Sequence, residues 1–294
     1  MKPIIKWVGG KSQLLDKIIP LIPPQINHYY EPFIGGGSLL LHLLSNNHNI
    51  QHYHASDLNP NLICVYQMIQ SNPQELINEL DKISKDYHSI TQQKGNKKPK
   101  TMNDALTSQE SYYYFTRNLF NQRKEYDPLK AAQFIFLNKT GFRGLYRTGP
   151  NGFNVPFGHY TNPTILDKKH IEDMSDLIKN VHFSVCDYQS ATQNAQPGDF
   201  VYLDPPYAPI KTTSFVSYIQ KEFDHKQFVQ DCCDLHNNKN VKFLMSNSNA
   251  PAILNHFNHD DYHCLQTDAR RAINSKKPQS TAKEILVFNY NTPN

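Results

Sequence analysis

The stretch His28-Tyr29-Tyr30-Glu31-Pro32-Phe33-Ile34-Gly35-Gly36-Gly37-Ser38-Leu39-Leu40-Leu41 changes character at its glycines. Residues 28–33 read as a short strand that ends at a glycine turn, and residues 38–44, dense in leucine, read as a buried helix. A weaker strand over 50–56 follows and ends at Asp57. Helical spacing then covers 61–70, 74–87 (with Leu76, Ile77, Leu80 and Ile83 on one face), 110–124 and 129–138. From Thr140 to Asn162 the chain carries five glycines with aromatics between them, and a loop or hairpin of this length is usually functional. Strands return at 181–186, 200–203, 241–246 and 285–290, with helices at 167–179 and 225–237. There is no internal repeat. Strand–helix alternation at both ends, split by a helical and loop-rich middle, predicts an α/β sheet domain interrupted by an insertion. The boundaries read as 1–58, 59–164 and 165–294.

The chain has 294 residues, 38% hydrophobic and 19% charged, which is too apolar for a disordered chain and too polar for a membrane protein. Its longest apolar run, Ile34 to Leu44, holds three glycines and falls short of the ~20 residues of a membrane span. The N-terminus lacks the apolar core of a signal peptide. Five cysteines without Cys-x-x-Cys spacing argue against disulfides and against a zinc site, so a cytoplasmic (or nucleoid-associated) protein without a metal is expected. Net charge is +4, but residues 59–163 hold 13 basic and 8 acidic side chains, so the middle carries +5 and the rest −1. That segment could meet a polyanion; a solvated face is the plainer alternative, since Lys94, Lys97, Lys98 and Lys100 share one loop.

Two strand ends carry chemistry. Glu31 to Ser38 lets the backbone turn sharply near a helix start, and Asp57 lies about twenty residues after Gly37, where doubly wound folds place a ribose-binding carboxylate. The third glycine of a dinucleotide fingerprint is missing, so a plain tight turn stays open. Gly9-Gly10-Lys11-Ser12 is not a phosphate loop, because Ile5 stands where that motif needs glycine. The stronger signal is Asp204-Pro205-Pro206-Tyr207, directly after the apolar strand Phe200-Val201-Tyr202-Leu203. A carboxylate, a proline-fixed carbonyl at Pro205 and an aromatic face then lie beyond a strand's carboxyl end, where open α/β sheets bind ligands. Two acceptors and a stacking ring suit the exocyclic amine of a planar base. A rigid turn after a buried strand is the alternative.

Lys6-Trp7-Val8-Gly9-Gly10-Lys11, Glu31 to Ser38, Leu137 to Arg147, Phe153-Asn154-Val155-Pro156-Phe157-Gly158 and Asp204 to Pro209 occur in that order. Together they resemble the Dam family of DNA adenine-N6 methyltransferases, with Arg270-Arg271-Ala272-Ile273-Asn274 resembling a further family stretch. The resemblance implies a Rossmann-like class I methyltransferase sheet (1–58 and 165–294) with an inserted, mainly helical target-recognition domain (59–164). It implies S-adenosyl-L-methionine as methyl donor, contacted by Trp7, Lys11, Phe33, Gly35, Gly37 and Asp57, with Asp204 between donor and target adenine. For Trp7, the only tryptophan, a core anchor is the alternative.

The adenine N6 lone pair is delocalised into the ring, so acceptors at Asp204 and Pro205 that favour a pyramidal nitrogen bind the transition state better than the flat substrate. The base must leave the duplex to reach such a pocket, with Pro206 rigidifying the turn and Tyr207 as stacking face. Double-stranded DNA is the implied partner and GATC the implied target, with a restriction endonuclease of the same sequence as an indirect partner. By the same resemblance Leu145 and Arg147 contact bases, Pro156 lies close to one, Lys6 reaches the outer base pair and Phe142 wedges near the flipped base. Arg143 stands where some members carry asparagine, and Tyr160 resembles a phosphate-contacting tyrosine. Phosphate contact alone is the plainer role for Arg143 and Arg147. A cytosine-N4 methyltransferase, which uses the same amine logic, and a non-catalytic DNA-binding relative are the competing readings.

Overall fold

A computed structural model describes residues 1–92, 95–209, 223–270 and 281–292. Lys94 and the stretch from Arg271 to Asn274 lie outside the described residues. Nine strands occur among them: β1 (Ile26–Glu31), β2 (Ile50–Asp57), β3 (Thr148–Gly149), β4 (Gly152–Phe153), β5 (Val181–Val185), β6 (Phe200–Leu203), β7 (Lys242–Ser248), β8 (His263–Arg270) and β9 (Thr281–Phe288). Among the described residues no helix is long and apolar enough to cross a membrane.

The chain divides into two compact units. One comprises Lys11–Ile34, Asn46–Leu58 and Cys186–Asn294. Its six strands run in the order β2-β1-β6-β7-β9-β8. β1 is parallel to β2 and to β6, β6 is parallel to β7, and β9 lies antiparallel to both β7 and β8. This mostly parallel sheet with a terminal antiparallel hairpin is a Rossmann-like methyltransferase sheet. β6 is buried at all four positions, as a strand in the middle of a parallel sheet must be. Its neighbour β7 carries Phe243 and Met245 into one core cluster with Val201 and Leu203 of β6, against Phe228, Val229 and Cys232 of the helix His225–Asn237. That helix starts where the Asp224 side chain accepts a hydrogen bond from the Gln227 N–H. Because the chain turns one way from β1 to β2 and returns on the other side as β6, the strand order reverses between β1 and β6. A crevice at such a reversal, beyond the carboxyl ends of the strands, is where open α/β sheets bind ligands.

The other unit comprises Met1–Gly10, Gly35–Ser45 and Asn59–Val185, and is mainly helical. Proline opens three of its helices: Pro60–Ser71, Pro73–Ser89 and Pro128–Thr140. The Asn59 and Asp127 side chains cap the first and last of these by accepting N–H bonds of the first turn. Tyr112, Tyr113 and Tyr114, which on a helix cannot share one face, are all buried, so they form core and not a stacking platform. This unit continues past residue 164 because the helix Lys168–Ile178 buries Ile171, Met174 and Ile178, and Gln70 Nε2 donates to the carbonyls of Ile178 and Val181. The glycine-rich segment forms a 3-10 turn (Phe142–Gly144) and the small β3–β4 hairpin.

The remaining differences from the sequence reading have local causes. β1 starts at Ile26 and stops at Glu31, because Pro32 and Phe33 already belong to the turn. β9 starts at Thr281 rather than near 285, since pairing with β8 carries its polar Lys283 and Glu284 into the ladder. β8 is an edge strand with polar residues at most positions, so it gives no apolar run to read.

Candidate functional site

In the sheet unit, β6 ends at Leu203 and the chain leaves through Asp204-Pro205-Pro206-Tyr207, of which Pro205 is buried and Pro206 exposed. Lys11, in a 3-10 turn and buried, places Nζ 2.6 Å from Asp204 Oδ2. The Asp204 side chain keeps 19% of its surface exposed. Burial pushes its carboxyl up to about 6, against the pull of the Lys11 ammonium and with a smaller push from Glu284. Asp204 is therefore an anion at neutral pH, held so at a cost. Lys11 Nζ also lies over the Tyr207 ring, 5.0 Å from its centroid.

Tyr207 donates its hydroxyl to Glu284 Oε2 on β9 at 2.7 Å. Burial, then the Asp204 and Glu284 carboxylates, raise its phenol far above the ordinary value, so it keeps its proton. The next residue is clamped by its backbone: Ala208 N–H donates to Asn247 Oδ1 at 3.1 Å, and Ser248 Oγ donates to the Ala208 carbonyl at 2.6 Å. The structure thus brings together Lys11, Asp204 and Tyr207 from the residues expected, and adds Glu284, Asn247 and Ser248 from β7 and β9. No motif marks those three; only the strand register brings them here, with Ser248 opposite Glu284 and Asn247 opposite Ile285.

Phe33, half-buried after β1, belongs to a separate aromatic cluster. It stacks on Tyr188 with centroids 5.6 Å apart and meets Phe223 edge-on at 6.0 Å. Tyr188 is itself fixed by donating to Asp231 Oδ2 at 2.6 Å. Asp57 ends β2, half-buried, next in sequence to Ser56, whose buried Oγ has no hydrogen-bond partner among the described residues. Glu31, buried at the end of β1, accepts the Tyr29 hydroxyl at 2.7 Å.

In the helical unit, Trp7 packs on the glycine turn. Gly35 has φ +47, and a Cβ there would stand 2.6 Å from Trp7 Cδ1, so both backbone and space require glycine. Gly37, at φ +68, continues the same turn. Tyr66 donates to the Gly35 carbonyl at 3.0 Å, and the indole stacks on Tyr146 with centroids 5.6 Å apart. Trp7 is half-buried, so it is not a closed core anchor.

The expected DNA-contacting residues sit around the Phe142–Gly144 turn and the β3–β4 hairpin. Phe142 is 43% exposed, and the Arg143 guanidinium lies 5.2 Å from its ring centroid. Arg143 has φ +56, an unusual conformation for a residue with a Cβ. The Phe142 N–H donates to the Pro156 carbonyl at 2.8 Å, which ties those two segments. Leu145 is half-buried. Arg147 is exposed and oriented by Asn154, donating from Nε to Oδ1 at 2.6 Å and from Nη2 to the carbonyl at 3.2 Å. Lys6 lies over the Tyr160 ring at 5.0 Å, and its backbone is bonded in both directions to the Asn138 amide. Asn138 and Asn154 stand inside stretches that the resemblance singles out, but nothing in the sequence signals their partners. Among the described residues no group of three or more His, Cys, Asp or Glu could hold a metal ion.

The sheet, with Asp-Pro-Pro-Tyr after β6 at its strand reversal, has the architecture of a Rossmann-like methyltransferase. The chain belongs to the D12 class N6 adenine-specific DNA methyltransferases, whose description it matches over residues 7–273. The Type II methyltransferase M.MjaIII of Methanocaldococcus jannaschii is 33% identical over 303 residues, covering 99% of each chain. The Type II methyltransferase M1.LlaDCHI of Lactococcus lactis subsp. cremoris is 35% identical, covering 99% of this chain and 96% of its own. A DNA adenine methylase of Haemophilus influenzae is 28% identical, covering 98% and 93%. Among solved structures, the rRNA methyltransferase aviRa from Streptomyces viridochromogenes aligns with a TM-score of 0.35 at 10% identity over 95% of this chain and 83% of its own, too distant a likeness to bear on the fold. The enzyme is an adenine-specific DNA methyltransferase; the cytosine-N4 reading falls with the family. DNA is its substrate, and the family implies S-adenosyl-L-methionine as methyl donor.

Proposed function

We propose that the enzyme methylates N6 of an adenine turned out of the duplex, at GATC, and that Asp204, Pro205 and Tyr207 receive that base. The observation that carries this reading is the Lys11–Asp204 pair beside Tyr207 at the end of β6. An ionised Asp204 accepts one N6 hydrogen and the Pro205 carbonyl accepts the other. Both bonds strengthen as the nitrogen becomes pyramidal, so they favour the transition state over the flat base. Lys11 keeps Asp204 in its accepting form, and the Tyr207 ring replaces the stacking lost on leaving the duplex.

When bound, S-adenosyl-L-methionine supplies the methyl group of a sulfonium. The residues present fit a nucleoside of this kind. The Asp57 carboxylate, half-buried at the carboxyl end of β2, suits a ribose diol. Phe33, backed by Tyr188, offers a half-buried ring for the adenine. In the helical unit, the Gly35–Gly37 turn and Trp7 are the corresponding contacts by resemblance.

Residues 59–164 act in this reading as the target-recognition domain, with Arg147 reading a guanine, Leu145 and Pro156 touching bases, Phe142 wedging at the vacated stack, and Arg143 and Tyr160 on the phosphates, while Lys6, outside that segment, reaches the outer base pair. Its excess of basic residues supports contact with the duplex. The test is methylation of unmethylated plasmid followed by single-molecule sequencing. N6-methyladenine confined to GATC is the expected result. Another sequence would refute the recognition residues and leave the chemistry; unmodified plasmid in the presence of folded, DNA-binding protein would refute the reading.

A further inference from the structure

Glu284 has no place in the motifs, yet it touches the ring assigned to the flipped base. It lies on β9, and its Oε2 accepts the Tyr207 hydroxyl at 2.7 Å from a position 77 residues away in sequence. The backbone at this point needs no such tether, because Ala208 is already held at its N–H by Asn247 and at its carbonyl by Ser248. What the Glu284 bond adds is control of the Tyr207 side chain, fixing the ring's attitude through its far end. A structural role would be met by any neutral acceptor. Instead a carboxylate stands near Asp204, and two like charges in a partly buried site are costly to hold. The bond is charge-assisted, hence stronger than a neutral one, and it enriches the ring in electron density under the Lys11 ammonium.

We propose that Glu284 is a positioning residue for methyl transfer, its carboxylate holding the Tyr207 ring through the phenol hydroxyl in the attitude that receives the flipped adenine. This rests on the reading of Tyr207 as the stacking face. Ordering the ring before the base arrives removes a rotational cost that would otherwise fall on the chemical step.

The experiment compares Glu284→Ala, Glu284→Gln, Tyr207→Phe and the Glu284→Ala/Tyr207→Phe double variant with the wild type, with thermal melting of each. Rates are measured in single turnover on a duplex carrying one target site, and flipping is followed by 2-aminopurine at the target adenine. Loss of a bond to a charged acceptor predicts a roughly tenfold or larger fall in rate for Glu284→Ala and an equal fall for Tyr207→Phe. Glu284→Gln, which keeps an acceptor but not its charge, falls about threefold, between the wild type and Glu284→Ala, and the KM for the methyl donor moves less than about twofold in all. Because Glu284 acts through the hydroxyl, Glu284→Ala costs nothing further in the Tyr207→Phe background. A wild-type rate in Tyr207→Phe, or an undiminished Glu284→Ala effect in that background, overturns the proposal. Tyr207→Ala separates the two levels. If it flips and methylates like the wild type, the stacking reading and this inference fall together. If it is inactive while Glu284→Ala runs at the wild-type rate, only the inference falls.

Discussion

Replacing Asp204 by asparagine removes a carboxylate that the fold holds against its preference. The carboxyl binds its proton at about 6 in the folded protein, against an ordinary 3.8. Below both values the group is neutral in either state and makes no difference to stability. Between them the folded state binds the proton more readily than the unfolded one, so stability falls as pH rises; above about 6 the penalty is complete. The gap corresponds to about 3 kcal/mol. Asparagine carries no such proton. The wild type should therefore lose about 2 kcal/mol of this relative to Asp204→Asn between about pH 4 and pH 7, or roughly 4–8 °C in relative melting temperature. Urea denaturation of both proteins at matched ionic strength measures this as a double difference. That design cancels Asp104, Asp127 and Asp187, whose carboxyls are held low by hydrogen bonds (Asp127 chiefly by Arg123) and whose contributions have the opposite sign, lost as pH falls. A flat difference would mean that Lys11 fully offsets the burial of Asp204. A difference of reversed sign would mean that the ion pair stabilises the fold outright. Either result refutes the reasoning. Methyl transfer by Asp204→Asn should be abolished or nearly so throughout.

Gly35→Ala drives a Cβ into Trp7 Cδ1 at 2.6 Å and Nε1 at 2.9 Å in a φ +47 backbone, so the indole must move. The fluorescence of this single tryptophan should shift to the red and methyl-donor affinity should fall at least about tenfold, a strain of 1–3 kcal/mol; an unchanged spectrum would contradict the packing. Asn154→Ala frees the Arg147 Nε now held at 2.6 Å, and methylation at sites with a mismatched guanine should rise by about tenfold, read by sequencing. Unaltered discrimination would remove Asn154 from recognition. Arg143→Gly relieves the strain of φ +56, worth about 1 kcal/mol, so the variant should melt higher while the salt slope of DNA binding drops by about one. A lower melting temperature would show that contacts of the arginine side chain outweigh its backbone strain.

What the sequence carried and what it withheld divide along a physical line. The strand–glycine–helix pattern over 28–44 and the apolar run before Asp204 are local, and local periodicity is enough to read them. The helix over 225–237 is legible for the same reason, with Asp224 as its cap. Lys11 was reachable only through resemblance, since a lysine after two glycines has no chemistry until Asp204 stands 2.6 Å away. Glu284 was out of reach altogether. Its partner is fixed by the pairing of β7 with β9, and β9 in turn pairs with an edge strand whose polar residues hide it. The compact units likewise recruit Met1–Gly10 and Gly35–Ser45 into the helical one, because contacts such as Trp7 on Gly35 and Lys6 on Asn138 join segments far apart in sequence. The hydrophobic pattern specifies the scaffold, whereas long-range register specifies which polar groups meet on it.

That division explains why the site tolerates an arrangement a core would not. Lys11, Asp204, Tyr207 and Glu284 come from three widely separated stretches and form one chain of charge-assisted contacts: ammonium to carboxylate, ammonium over ring, hydroxyl to carboxylate. Each member makes sense only with its neighbours. Without Lys11, Asp204 would lose the cation that favours its ionised form while the Glu284 carboxylate still opposed it; without Glu284, the ring would lose its tether while Asp204 would become easier to ionise. The two losses act on Asp204 in opposite directions. An interaction network of this kind is not additive, and its members should be weighed in pairs. The electrostatic cost at Asp204 is thus the counterpart of its use as an acceptor: a carboxyl that rested comfortably in the fold would have its lone pairs already taken.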